Sequence, residues 1–188
     1  MRLTAFLGSP RAGGNTDILA AAVLDGAQEA GLQTEAIALR KLTITPCIGC
    51  EKCWQDDRPC IFDDDMTALY EKIRGADILL LATPVYWYGP TTLMKTFMDR
   101  LVVLNRPQGR PLIEGKSAVI AVAYEEEGPT AAEPLIRMFE LSFEYLKVPL
   151  VGRIIVAGVG PKGAVLEKPE ALAQAREIGR MLGRAGRP

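Results

Sequence analysis

The chain has 188 residues, 48% hydrophobic and 24% charged, with 22 basic against 23 acidic side chains and a net charge of −1. That size suits one domain with a real core. The charge balance lacks the footprint of a nucleic-acid binder, no apolar run approaches the ~20 residues of a spanning helix, and the N-terminus shows no signal-peptide pattern.

Apolar runs then alternate with helix-period segments. RLTAFLG (2–8) reads as a buried strand, residues 16–30 as an Ala-rich helix closed by Gly31, and TEAIALR (34–40) as a second strand. A cysteine-rich loop over 46–63 follows. Residues 64–76 place Met66, Leu69, Tyr70 and Ile73 at helical spacing, and DILLLATP (77–84) reads as a strand buried on both faces. A helix over 89–104, a strand over 117–124, a long helix over 130–147, a strand over 153–159 and a helix over 169–185 complete the pattern. The basic tail 183–188 is expected to fray. Strand–helix repeated five times predicts one α/β domain over 1–188. Its expected form is a flavodoxin-like three-layer sandwich with a five-stranded parallel sheet of order 2-1-3-4-5.

In such a sheet, ligands sit beyond the carboxyl ends of the strands, where strand order reverses. The loops after strands 1, 3 and 4 should therefore converge. The first, GSPRAGGNT (8–16), joins a strand to a helix through small residues, Gly14 among them, that let backbone N–H groups approach an anion. Ser9, Asn15 and Thr16 offer side-chain donors and Arg11 a cation. The loop lacks the Gly-Lys-Ser/Thr ending of a P-loop and the G-x-G-x-x-G of a dinucleotide site. The plainer alternative is a turn in which Asn15 or Thr16 merely caps the helix. The second loop, ATPVYWYGPTT (82–92), puts three adjacent aromatics at a strand mouth. A flat ring system stacked on them, or a subunit interface, accounts for that cost. The third, YEEEGPT (124–130), reads as a solvated charge run without a catalytic role.

The chain contains no histidine, which removes His-based triads, Cys-His pairs and His-ligated metals. If the protein is an enzyme, a bound cofactor is the expected carrier of its chemistry. Cys47, Cys50, Cys53 and Cys60 follow the spacing C-x2-C-x2-C-x6-C. Four thiolates so spaced suit a 4Fe–4S cluster, with zinc as a chemical alternative. A reduced, locally packed cysteine loop and a redox-active Cys50–Cys53 pair are the other readings.

GSPR-x-x-GNT, TPVYWYGPTTLMKTFMDR and the cysteine loop together resemble the NADPH-dependent FMN reductase family, including its iron–sulfur flavoprotein branch. The resemblance implies an FMN phosphate on Ser9, Arg11, Gly14, Asn15 and Thr16. It implies an isoalloxazine ring on Pro84, Val85, Tyr86, Trp87, Tyr88 and Gly89, with Tyr124 alongside. Lys95, Asp99 and Arg100 match the family's Lys-x-x-x-Asp-Arg stretch, and Lys95 and Asp99 at i,i+4 read as a structural ion pair. The third loop departs from the glycine-rich form of the cluster-bearing branch. The expected activity is an FMN-dependent NAD(P)H oxidoreductase, with NAD(P)H as transient co-substrate and a quinone, flavin or aromatic acceptor. The alternatives are an electron carrier holding FMN and a 4Fe–4S cluster, and a non-enzymatic regulatory module on the same scaffold. The resemblance further implies a homodimer or homotetramer. The expected location is cytoplasmic, with no nucleic-acid or membrane partner.

Overall fold

Strands that lie between two helical layers bury both faces, and their sequences lose the polar alternation of half-exposed strands. β3 (Ile78–Pro84) and β4 (Ser117–Ala123) do so almost throughout. They form the centre of a five-stranded, wholly parallel sheet of order β2-β1-β3-β4-β5, with β1 (Arg2–Leu7), β2 (Gln33–Ala38) and β5 (Leu150–Val156). This architecture comes from a computed structural model that describes residues 1–55 and 60–185.

The helices are α1 (Asn15–Glu29), α2 (Lys52–Gln55), α3 (Met66–Arg74), α4 (Thr92–Arg100), α5 (Glu133–Leu146) and α6 (Pro169–Ala185). Alternate strand residues feed two cores. Phe6, Leu79, Leu81, Ile120 and Val122 pack with α3, α4 and α5 on one face. Leu3, Ala5, Leu80, Val119 and Ala121 pack with α1 and α6 on the other. Phe6 stacks on Phe97 of α4 with ring centroids 4.6 Å apart, which fixes the seat of that helix beside β1.

Several boundaries differ from the sequence reading for local reasons. The expected 89–104 helix is α4 followed by a 3-10 turn, Leu101–Asn105. It starts late because Thr91 caps it, its side chain accepting from the Met94 N–H. A 3-10 turn, Pro129–Ala131, precedes α5. β5 opens at Leu150 and closes at Val156, so residues 157–159 belong to a loop. The short helix α2 inside the cysteine loop had no sequence signal. Residues 183–185 of the tail expected to fray continue α6, and 186–188 lie outside the described residues. Among the described residues, no helix is long and apolar enough to cross a membrane.

Candidate active site

The first loop is built by a sequence of small residues and short hydrogen bonds. The Gly8 N–H donates to the Ala82 carbonyl of β3 (2.7 Å), and the Thr91 hydroxyl donates to the Gly8 carbonyl (2.6 Å). A Cβ on Gly8 would stand 2.8 Å from Met94 Cβ, so a larger residue there would dislodge α4. The Arg11 N–H donates to Ser9 Oγ (3.1 Å), closing a tight turn. The Gly13 N–H donates to the Asp17 carboxylate (2.9 Å), which also pairs with Arg40 (3.0 Å).

Gly14, rather than Asn15 or Thr16, occupies the N-cap of α1, and no side chain caps the helix. The N–H groups of Asn15, Thr16 and Asp17 find no protein acceptor among the described residues. Uncapped amides at the positive end of a helix dipole form an anion-binding surface.

A cavity of about 110 Å³ opens at this point. It brings together Ser9, Arg11, Gly14, Asn15, Thr16, Pro84, Val85, Tyr86 and Tyr124, all named from sequence. Thr16 is 2% exposed, and its hydroxyl has no hydrogen-bond partner among the described residues. The Asn15 side chain is engaged within the protein. Its amide donates to the carbonyls of Val159 (2.7 Å) and Pro161 (2.9 Å) and accepts from the Val165 N–H (3.2 Å). Both amide hydrogens are therefore committed to the segment after β5.

Trp87, Tyr88 and Gly89 lie outside that cavity. The Tyr86 N–H donates to the Gly89 carbonyl (2.8 Å) and the Gly89 N–H to the Tyr86 carbonyl (3.0 Å), making a two-residue turn. Its central residues take φ 49° at Trp87 and 62° at Tyr88, a left-handed conformation that costs bulky residues energy. The turn holds Trp87 92% exposed. Trp87 and Tyr88 line a second hollow of about 280 Å³ with Glu126 and Ala131. Val85 lines both spaces and joins them.

The sequence reading did not name Ala123, Val159 and Gly160 for the site, nor the two charged lining residues, Glu125 and Lys162. Glu125 is exposed, as expected of its charge run, yet it also lines the first cavity. Lys162 lines it from the segment after β5. The switch-point rule draws attention to the loops after strands 1, 3 and 4. The only available signal for Lys162 was a lone cation inside the glycine-rich AGVGPKG (157–163).

The four cysteines line a separate cavity of about 80 Å³ with Trp54, Phe62, Arg100 and Val103. All four are free thiols. Among the described residues, no three His, Cys, Asp or Glu side chains gather at metal-holding spacing, and 56–59, between Cys53 and Cys60, lie outside the description. Burial and the neighbouring Cys60 push the Cys53 thiol up against the opposing pull of Arg106. Arg106 donates to the Cys53 carbonyl (3.1 Å).

Arg100 is 1% exposed beneath this cavity. It donates to the Asp64 carboxylate (2.7 Å) and the Thr45 carbonyl (2.7 Å), and its guanidinium lies 5.2 Å from the Phe62 ring centroid. Burial raises the Asp64 pKa, but hydrogen bonds from Arg100 and the Thr45 and Met66 N–H groups outweigh it and hold the carboxyl below its ordinary range. Lys95 and Asp99 form the expected i,i+4 ion pair on α4.

Comparison with known proteins sets this geometry in context. Residues 1–158 match the family model described as NADPH-dependent FMN reductase. An iron–sulfur flavoprotein of Methanosarcina thermophila is 38% identical over 106 residues, 56% of this chain and 55% of that protein. The chain thus spans about half the length of that relative. The YwqN oxidoreductase of Bacillus subtilis, described as NAD(P)H-dependent and FMN-containing, is 29% identical over 182 residues, 95% of this chain and 96% of that protein. An NAD(P)H:quinone oxidoreductase from Methanothermobacter marburgensis superposes with a TM-score of 0.75 at 21% identity, covering 97% of this chain and 96% of its own. That likeness establishes the shared flavodoxin-like fold.

Proposed function

The chain belongs to the NADPH-dependent FMN reductase family, and from that premise we propose that it is an FMN-dependent NAD(P)H oxidoreductase delivering electrons to a small quinone, flavin or aromatic acceptor. One observation carries the reading. The uncapped N-terminus of α1 and the unpartnered Thr16 hydroxyl border the same cavity as Pro84, Val85 and Tyr86. Donors without acceptors fit a phosphate, and the adjoining apolar wall fits a ring.

Bound FMN would supply hydride acceptance from reduced nicotinamide and onward electron delivery. The chain's own groups bind and orient. The N–H groups of Asn15, Thr16 and Asp17, with the Thr16 and Ser9 hydroxyls, would hold the phosphate. Pro84, Val85 and Tyr86 would flank the ring, and Trp87 and Tyr88 would shield it from water. Burial, then Glu126, Glu127 and Glu133, push the Tyr124 phenol above its ordinary pKa, so it stays a neutral wall of the cavity. The lack of histidine is no obstacle, because hydride transfer needs no side-chain base. Exposed Trp87 and Tyr88 also suit a homodimer or homotetramer whose interface covers the ring.

A second reading rests on four cysteines lining one apolar cavity. Cys47, Cys50, Cys53 and Cys60 would hold a 4Fe–4S cluster, and the protein would carry single electrons between partners.

Anaerobic purification separates these readings through the absorption spectrum, FMN content, iron and sulfide content, and NAD(P)H oxidation. Yellow, iron-free protein that consumes NAD(P)H supports the reductase. Cluster-level iron with slow NAD(P)H oxidation supports the carrier. Colourless protein that takes up no FMN at micromolar concentration overturns both.

A further inference from the structure

We propose that Lys162 is a second cation of the phosphate subsite and makes this chain select phosphorylated flavin over riboflavin. The proposal rests on the flavin reading above.

Lys162 lines the same cavity as the first loop. Its Nζ stands 4.0 Å from where a Cβ on Gly13 would lie, which places the ammonium at the glycine turn just before α1. No carboxylate pairs with it among the described residues. Asp17, the acid nearest Gly13 in sequence, is already engaged by Arg40 and the Gly13 N–H.

The segment carrying Lys162 is fastened rather than loose. Asn15 makes three hydrogen bonds to it, through Val159, Pro161 and Val165. Arg11 adds a fourth, donating to the Gly160 carbonyl (3.2 Å). Asn15 thus anchors the segment that carries Lys162.

Charge decides what this fastening achieves. Arg11, Lys162 and Glu125 are the acidic and basic side chains that line the cavity. Glu125 packs against Gly160, its Cδ 2.8 Å from where a Cβ there would lie. With Lys162 the three sum to one positive charge, reinforced by about half a charge from the helix terminus. Without Lys162, Arg11 and Glu125 cancel. A phosphate dianion would then meet only the partial charge of the helix terminus, while riboflavin, which has no phosphate, would notice little.

The test is flavin-fluorescence titration of the full-length apoprotein with FMN and with riboflavin, comparing the parent, Lys162→Gln and Lys162→Arg at low and high salt. Lys162 is exposed and makes no ion pair among the described residues, and unchanged thermal unfolding of the apo variants verifies the fold. The expected result is an about ten-fold loss of FMN affinity in Lys162→Gln, the scale of one charge-assisted hydrogen bond. Riboflavin affinity changes less than about two-fold, Lys162→Arg restores FMN binding, and the parent's preference for FMN narrows in high salt. Equal weakening of both flavins, or unchanged FMN affinity, overturns the role of Lys162 while leaving the flavin site standing. A parent protein that binds neither flavin overturns the flavin reading and this assignment with it.

Discussion

At the scale of single residues, Thr16 and Arg100 divide the work of binding and stability. Thr16→Val keeps the shape of the α1 terminus and deletes only the open hydroxyl. It should cost about 1.5–3 kcal/mol of FMN binding, read as at least a ten-fold rise in Kd by fluorescence titration. Arg100 faces a different risk, because its partner Asp64 is nearly as buried, with side chains 1% and 8% exposed. Arg100→Met strands a buried carboxylate and should cost about 3–5 kcal/mol in urea unfolding. The sign with pH follows from the depressed Asp64 pKa. Its stabilisation is fully present above the unfolded value of about 3.9 and drains away as pH falls through the lower folded value. Asp64→Asn should therefore flatten the acid limb of the stability curve while lowering the plateau at neutral pH.

At the scale of elements, α1 and α6 touch backbone to backbone. A Cβ on Gly26 would stand 1.9 Å from the Arg176 carbonyl oxygen, and one on Gly179 would stand 2.0 Å from that of Val23. The ion pairs across this seam, Arg176–Asp25 (3.1 Å) and Arg180–Glu29 (2.7 Å), are solvent-exposed and screened, so they contribute little. Gly179→Ala should therefore cost more than Arg180→Ala, about 1–3 kcal/mol or above, because helices rather than side chains must move. Differential scanning calorimetry of the two variants ranks them. The 86–89 turn offers the opposite trade. Trp87→Asn relieves a left-handed bulky residue and should raise stability by up to about 1 kcal/mol while slowing NAD(P)H oxidation. A variant that gains stability and keeps full turnover would remove Trp87 from the site.

At the scale of the whole molecule, cofactor and fold are linked. FMN at 100 times its Kd should stabilise the native state by about 2.7 kcal/mol, visible as a concentration-dependent Tm. Strand order and most of the cavity were legible because apolar runs and glycine turns are local signals that the sheet merely assembles. Ser9, Thr16 and Tyr86 could be named for that reason, whereas Pro84 and Val85 came from the family resemblance. The engagement of Asn15 with Val159, Pro161 and Val165 could not, since those partners lie some 150 residues away and carry no periodic mark. The Arg100–Asp64 pair was hidden the same way, as two charges that look solvent-facing until tertiary packing buries them. That long reach between Asn15 and the 160s also governs timing during biosynthesis. A growing polypeptide still on the ribosome can complete β1 through β4 and yet hold an open, half-walled groove. Because the groove's far wall needs the segment through Val165, FMN loading is expected at the end of translation or later, and a product truncated before Gly160 should accumulate colourless.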